Sequence, residues 1–301
     1  MITSVLDKSA GFYSVLFFTI NHYIHCKKNN KTFKLDDSNW LFKSVNGWTD
    51  YFKSIDFTGV NEEGEPSQVL KHNQLAGNFL MWDYQDIIRN HLYLYNDEVA
   101  RQVHDKTTEL GLVHGEYDAI FIRRGDKLCC ESKFIDTDQY VELLLRKNPN
   151  CSTIFVQTDD YNVFLDVEKY VKTHDLNIRV VTMCDPNTRG MVIFDKVLSV
   201  ELDNVVIRGN QMNQQYFETI YDDLRKFTPV EKMNSEQIYR HTLDMLIGVD
   251  IVLHSKYCTL DNQSNVSRFI SIAHNDYTKL FDVRYPNENI NMGWSMCPAY
   301  W

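Results

Sequence analysis

The sequence has no apolar run long enough to cross a bilayer. Its most hydrophobic N-terminal stretch, Phe12 to Ile20, is about half of the ~20 residues a spanning helix needs, and Asn21, His22 and His25 interrupt its continuation. Neither a membrane span nor a signal peptide is expected. Positive charge is in deficit too: 31 Lys and Arg against 41 Asp and Glu leave a formal net charge of −10. That balance opposes general attraction to nucleic acid or an anionic membrane, so any phosphate must meet a local basic patch. The seven cysteines (Cys26, Cys129, Cys130, Cys151, Cys184, Cys258, Cys297) are odd in number and lack the paired spacing of a zinc site or a disulfide scaffold. Reduced thiols in a soluble, cytoplasmic protein fit best. Sequons begin at Asn30, Asn150, Asn262 and Asn265, and the last two crowd a candidate ligand segment, which favours a compartment without glycosylation. There is no G-x-x-x-x-G-K-[ST] and no G-x-G-x-x-G, and the missing G-x-S-x-G elbow disfavours a serine hydrolase. Internal repeats and low-complexity segments are likewise lacking.

What is present is a 301-residue chain, 44% hydrophobic, large enough for two modest domains with real cores. From Gly11, the apolar residues Tyr13, Leu16, Phe17, Ile20 and Ile24 recur at helical spacing and lead to the strand-like Thr32–Leu35. Asn46-Gly47-Trp48 predicts a turn, residues 61–66 a surface loop, and Asp83 to Glu109 a charged helical pattern. Punctuation from Leu110 to Gly115 suggests a boundary, giving domains 1–110 and 111–301. Beyond it the sequence predicts strands at 117–122, 153–157, 178–182 and 250–254, alternating with helices at 138–146, 164–174, 235–248 and 264–274. That alternation means an α/β domain with a largely parallel sheet, in which ligands sit beyond the carboxyl ends of the strands.

The strand ends therefore carry the chemistry. Phe121-Ile122-Arg123-Arg124-Gly125-Asp126-Lys127 runs an apolar strand into two guanidinium groups, a glycine, a carboxylate and an ammonium. Forked arginine donors match phosphate oxygens and a glycine permits close backbone approach, so the segment suits a diphosphate; a solvated turn of mixed charge is the plainer alternative. Thr158-Asp159-Asp160 could accept hydrogen bonds from a base or ribose, or could cap the following helix. Ser264 or a near neighbour caps a helix whose orphan amides make a seat for phosphate, with Asn265, Ser267 and Arg268 adding donors; an ordinary capped helix reads the same way. Asp136-Thr137-Asp138 has the D-x-D form of metal-dependent sugar transferases but lies at a predicted helix start, where acids complement the dipole. His22, His25 and Cys26 share one neighbourhood without a further ligand group, and packing is the expected role.

In order and approximate spacing, these segments resemble the alpha-1,6-fucosyltransferase and protein O-fucosyltransferase superfamily. That family reads His-x-Arg-Arg-x-Asp-Lys at the first strand end, matched here by residues 121–127, with Phe121 in place of the histidine. Its acid four residues after the lysine matches Glu131. Thr158-Asp159-Asp160 follows, then Leu243-Asp244 on a helix, then the Ser-(Gln/Asn)-x-x-Arg helix start at Ser264-Asn265-Val266-Ser267-Arg268. Gly11-Phe12-Tyr13-Ser14 and Asn29-Asn30 resemble the superfamily's opening, whereas Cys184 to Lys232 has no counterpart; its Asn210-Gln211 and Gln214-Gln215 are polar enough to touch a sugar. The resemblance implies a GT-B-like fold of two Rossmann-like domains facing across a cleft, with the donor in the C-terminal one. It implies a metal-independent, inverting transfer of fucose from GDP-fucose to a hydroxyl of a glycan acceptor, with no cofactor beyond the GDP-sugar co-substrate. GDP-rhamnose as donor, or a silent nucleotide or carbohydrate-binding module, are the alternatives. Carried over by position, Arg123 or Arg124 would neutralise the diphosphate leaving group beside Asp126. Thr158, Asp159, Asp160 and Asp244 would stand on the guanosine side, Asp160 and Asp244 in contact with it. Ser264, Asn265, Val266, Ser267 and Arg268 would hold the phosphates. Glu131 would take the acceptor proton with Lys127 orienting, and Gly11 and Phe12 would form the N-terminal glycine loop.

Overall fold

The structure is a computed structural model that describes residues 1–55, 57–60, 67–71, 81–125, 133–190 and 228–287. The chain divides into two compact units, one of residues 1–102, 234–243 and 291–301, the other of residues 103–233 and 244–290. The sequence places its boundary at 110/111; here the first division falls inside a helix, and residues 234–243 return to the first unit.

In the first unit β1 (Ile2–Val5) pairs in parallel with β2 (Phe33–Asp36) on one side and β3 (Gln68–Leu70) on the other. Helix α1 (Phe12–Lys28) follows β1 and is buried on almost every side, from Phe12 and Tyr13 to Ile24 and Cys26. Its polar residues therefore need internal partners. His22 Nδ1 meets Ser4 Oγ at 2.7 Å, and Asn21 accepts from the Tyr84 hydroxyl at 2.6 Å. Burial pushes the Cys26 thiol up to about 11. The packing role expected for His22 and Cys26 is the one observed.

The pattern from Asp83 to Glu109 is not one helix. Helix α2 (Met81–Ile87) widens into a π turn at Ile88–Leu92, and α3 (Asp97–Glu109) starts afresh. Asn96 makes the break: its side-chain oxygen caps α3 through the Val99 amide at 2.9 Å, while its amide group donates to the carbonyls of Thr49 and Asp50.

The second unit holds one parallel sheet of β4 (Asp118–Ile122), β5 (Thr153–Thr158), β6 (Arg179–Thr182), β7 (Cys258–Leu260) and β8 (Leu280–Asp282), in the order β6-β5-β4-β7-β8. Helices α4 (Thr137–Lys147), α5 (Tyr161–Thr173) and α7 (Asn265–Ala273) accompany it, as does α6 (Ser235–Leu253) from Asp244 onward. All five residues of β4 are buried, as a central strand covered on both faces requires. From β4 the chain winds outward through β5 to β6, then returns to the other side of β4 for β7 and β8. The order reverses between β4 and β7, and the carboxyl ends of those two strands flank the place where such sheets bind ligands.

One predicted strand is corrected. Residues 250–253 continue α6, and the strand lies later, at Cys258–Leu260. An apolar run cannot by itself distinguish a buried strand from a buried helix, and Gly248 is no breaker. A Cβ at Gly248 would be driven into the side-chain amide of Gln157 on β5, so the glycine serves close approach of helix to sheet. The helices predicted at 138–146, 164–174 and 264–274 and the strands at 117–122, 153–157 and 178–182 are present within a few residues.

Among the described residues no helix is long and apolar enough to cross a membrane. Cys26, Cys151, Cys184 and Cys258 are free thiols.

Candidate functional site

At the end of β4 the chain turns through Gly125 at φ +56°, a conformation that favours glycine. The two arginines before it diverge. Arg123 Nε meets Asp159 Oδ2 at 2.9 Å, and the other oxygen of Asp159 accepts the Arg124 amide at 2.6 Å. One carboxylate from β5 thus fixes both the side chain and the backbone of the β4 end. Arg124 turns inward and is only 2% exposed. Its guanidinium lies 4.3 Å over the Phe134 ring and donates to the Ile135 carbonyl at 2.7 Å. In this arrangement Arg124 is turned into the protein, and Arg123 stands at the end of β4 beside Asp159. The expected Asp126, Lys127 and Glu131 lie outside the described residues.

At the end of β5, Asp159 is engaged by Arg123, and Asp160 is fully buried. Asp160 caps α5 by accepting from the Asn162 amide at 3.0 Å, while Thr158 Oγ1 accepts the Asp160 amide. The capping alternative therefore describes Asp160. The segment after β6 folds over this end, with the Gly190 amide on the Asp159 carbonyl at 2.6 Å. Burial, with Asp159 and Asp160 nearby, pushes the Cys184 thiol up to about 12.

At the end of β7, Ser264 caps α7 in a full capping box. Its Oγ accepts from the Ser267 amide at 3.1 Å, and Ser267 Oγ accepts the Ser264 amide at 3.0 Å. The serine side chains are occupied in building the helix start, and the amides of Asn265 and Val266 remain as the orphan donors of its first turn. Val266 packs inward at 8% exposure, while Asn265 and Arg268 are half-buried at the surface.

The sequence reading missed Arg284, just past β8. It forks onto Asp261 with contacts of 2.6 and 2.7 Å, and its amide donates to Asp282 at 2.9 Å. A basic residue directly after the Asp282-Val283 pair was the available signal, obscured because β8 has only three residues. Burial and the neighbouring Asp261 raise the Asp282 carboxyl to about 6.

Asp244 is exposed on α6, one turn before the Gly248 that approaches Gln157 near the end of β5. Gly11 and Phe12 belong to the first unit, where Gly11 precedes α1 and Phe12 is core. Asp136, Thr137 and Asp138 open α4, and with Asp166, Lys169 and Tyr170 they line a cavity of about 290 Å³. Of the stretch from Cys184 to Lys232, residues 191–227, including the Asn and Gln cluster, lie outside the described residues.

Three adjacent strands, β5, β4 and β7, thus bring Asp159, Arg123 and a helix amino end to one edge of the sheet. This set can orient an anion through a guanidinium and backbone amides acting together.

No protein-family model matches the sequence, and no curated protein does. Solved structures do match. A crystal structure of NodZ alpha-1,6-fucosyltransferase soaked with GDP-fucose superposes with a TM-score of 0.57 at 11% identity, covering 95% of this chain and 97% of that one. A structure of fucosyltransferase NodZ from Bradyrhizobium gives 0.54 at 11% identity, over 95% and 96% of the two chains. The likeness is one of fold, the GT-B-like α/β class expected from the sequence, and it spans nearly the whole length of both proteins.

Proposed function

We propose that the chain is a glycosyltransferase that moves fucose from GDP-fucose to a hydroxyl of a glycan acceptor, with inversion at the anomeric carbon and without a metal ion. The observation that carries this reading is the convergence of Arg123 and the amino end of α7 on either side of the point where the strand order reverses. The likeness in fold to a fucosyltransferase soaked with GDP-fucose supports it.

In the reaction the acceptor oxygen bonds to the anomeric carbon as the bond to the β-phosphate oxygen breaks, and GDP leaves with the added charge. Arg123, pre-oriented by Asp159, and the amides of Asn265 and Val266 would take up that charge without reorganising. Glu131 accepts the acceptor proton, because an alcohol is a poor nucleophile until a carboxylate removes it, and Lys127 orients the pair. Arg268 adds long-range attraction for the phosphates, and Asp244 takes the guanosine side.

The test is titration of GDP into the protein by calorimetry, followed by GDP release from a panel of nucleotide sugars with and without glycan acceptors. GDP binding with acceptor-dependent release from GDP-fucose is expected. Faster release from GDP-rhamnose would change the donor, binding without release would make the protein a silent module, and no binding would end the reading.

A further inference from the structure

We propose that Arg284 is a positioning residue of the donor site, holding residues 133–135 and the segments that follow β7 and β8 in one register. The inference rests on the transferase reading for its functional meaning; the geometry stands by itself.

The Arg284 side chain is 19% exposed and its partner Asp261 14%, so the fork between them is largely withdrawn from water. Such bidentate, charge-assisted contacts fix direction as well as distance. Asp261 opens the short connection from β7 to Ser264, the first residue of the capping box. Within its own turn, the Asp282 carboxylate accepts the Arg284 amide at 2.9 Å. The Val283 amide adds a bond to the Leu260 carbonyl at 2.9 Å. The segments after β7 and β8 are thereby tied once through side chains, by the fork, and once through backbone.

The third loop makes the arrangement more than a local staple. Arg284 Nη2 also donates to the carbonyl of Lys133 at 3.3 Å, on the segment that returns from the β4 loop. That segment continues into Phe134 and Ile135, which the Arg124 guanidinium grips from the opposite direction. Residues 133–135 are thus pinned between an arginine from β4 and one from β8. Arg123 and the α7 amides reach the ligand from different strands, and the separation of their loops is set where Arg284 sits.

Arg179 offers an internal control. Its guanidinium donates to the carbonyls of Leu110 and Gly111 at 3.0 and 2.9 Å, tying two segments at the amino end of the same sheet.

The experiment measures GDP affinity by calorimetry well below the unfolding midpoint of each variant. Arg284→Gln and Asp261→Asn should each weaken GDP binding roughly tenfold, the size of one charge-assisted contact. Their combination should be no weaker than either alone, since both undo one clamp. Arg284→Lys, which keeps the charge but loses the fork, should recover part of the affinity. Arg179→Gln should bind GDP as the wild type does. Should Arg284→Gln fail to fold, Arg284→Lys and Asp261→Asn carry the same comparison. Wild-type affinity in folded Asp261→Asn and Arg284→Lys, or losses that add in the double variant, overturn the proposal. A wild-type protein that binds no GDP overturns the transferase reading and the donor role of Arg284 together, and does so before any substitution is made.

Discussion

Arg123 and Arg124 are neighbours in sequence and opposites in duty. Successive residues leaving a strand point to opposite sides, so only one of the pair can face outward from the β4 end. Arg124 faces in, against Phe134 and the Ile135 carbonyl, and Asp166 feels its charge. Arg124→Ala should therefore lower stability by about 3 kcal/mol in urea unfolding, through lost packing and an orphaned carbonyl. Arg123→Ala should cost less stability, yet weaken GDP binding more than Arg124→Ala when both variants are titrated in the cold, where each is folded. The reverse order of affinities would mean that Arg124 leaves Phe134 to reach the ligand. The segment was legible in the sequence as a charged turn leaving an apolar strand, with a diphosphate seat and a solvated turn as its two readings. The division of labour was not, because it depends on an aromatic ring ten residues on and on an aspartate from the next strand.

At the scale of the element, α6 and α7 show where pattern is a sound guide and where it is not. The start of α7 was readable: Ser264 ahead of the apolar face of Val266, Phe269, Ile270 and Ala273 is a helix start signal, and the capping box is present. Ser264→Ala should cost about 1 kcal/mol in unfolding free energy. A larger loss of GDP affinity than that stability change explains would indicate that the serine itself meets the ligand. Helix α6 was misread past Gly248 because glycine reads as a stop signal, and its actual reason lies on β5. Gly248→Ala should force the far end of the Gln157 side chain to move, which offsets the helical gain of alanine in the wild type. In a Gln157→Ala background the same change should stabilise by about 1 kcal/mol, the intrinsic helical gain of alanine over glycine. Equal effects in the two backgrounds would show that helix and strand do not meet there.

At the scale of the whole molecule, the α/β class was legible from the alternation of strands and helices, whereas strand order was not. β1, β3 and β8, of three or four residues, carry too little pattern to be seen, and only their pairing reveals the reversal beside β4. The parallel arrangement also sorts charge by end. At the amino end of the second sheet His274 closes α7, and His254 follows α6, where its hydrogen bond to Asp250 favours the charged form and a cation complements the helix dipole. His274 departs from that logic. It is 1% exposed, and its Nδ1 accepts the Asp276 amide at 3.1 Å; burial lowers it to about 4. At the carboxyl end burial does the converse to Asp282, raising it to about 6. The two act on stability with opposite signs. Because the folded pKa of His274 lies below the unfolded value near 6.5, its contribution is present above that pH and is lost as pH falls toward 4. The folded pKa of Asp282 lies above the unfolded value near 3.8, so its contribution is present at low pH and is lost as pH rises through 6. Each shift corresponds to about 3 kcal/mol, and across pH 4 to 6.5 they largely cancel. His274→Asn, which keeps an acceptor for the Asp276 amide, should gain stability relative to the wild type as the solution is acidified. Asp282→Asn should lose relative stability over the same range, whatever its offset at neutral pH. Urea unfolding of the three proteins from pH 7 to pH 4 checks this, and curves that stay parallel would mean that neither group is buried as described.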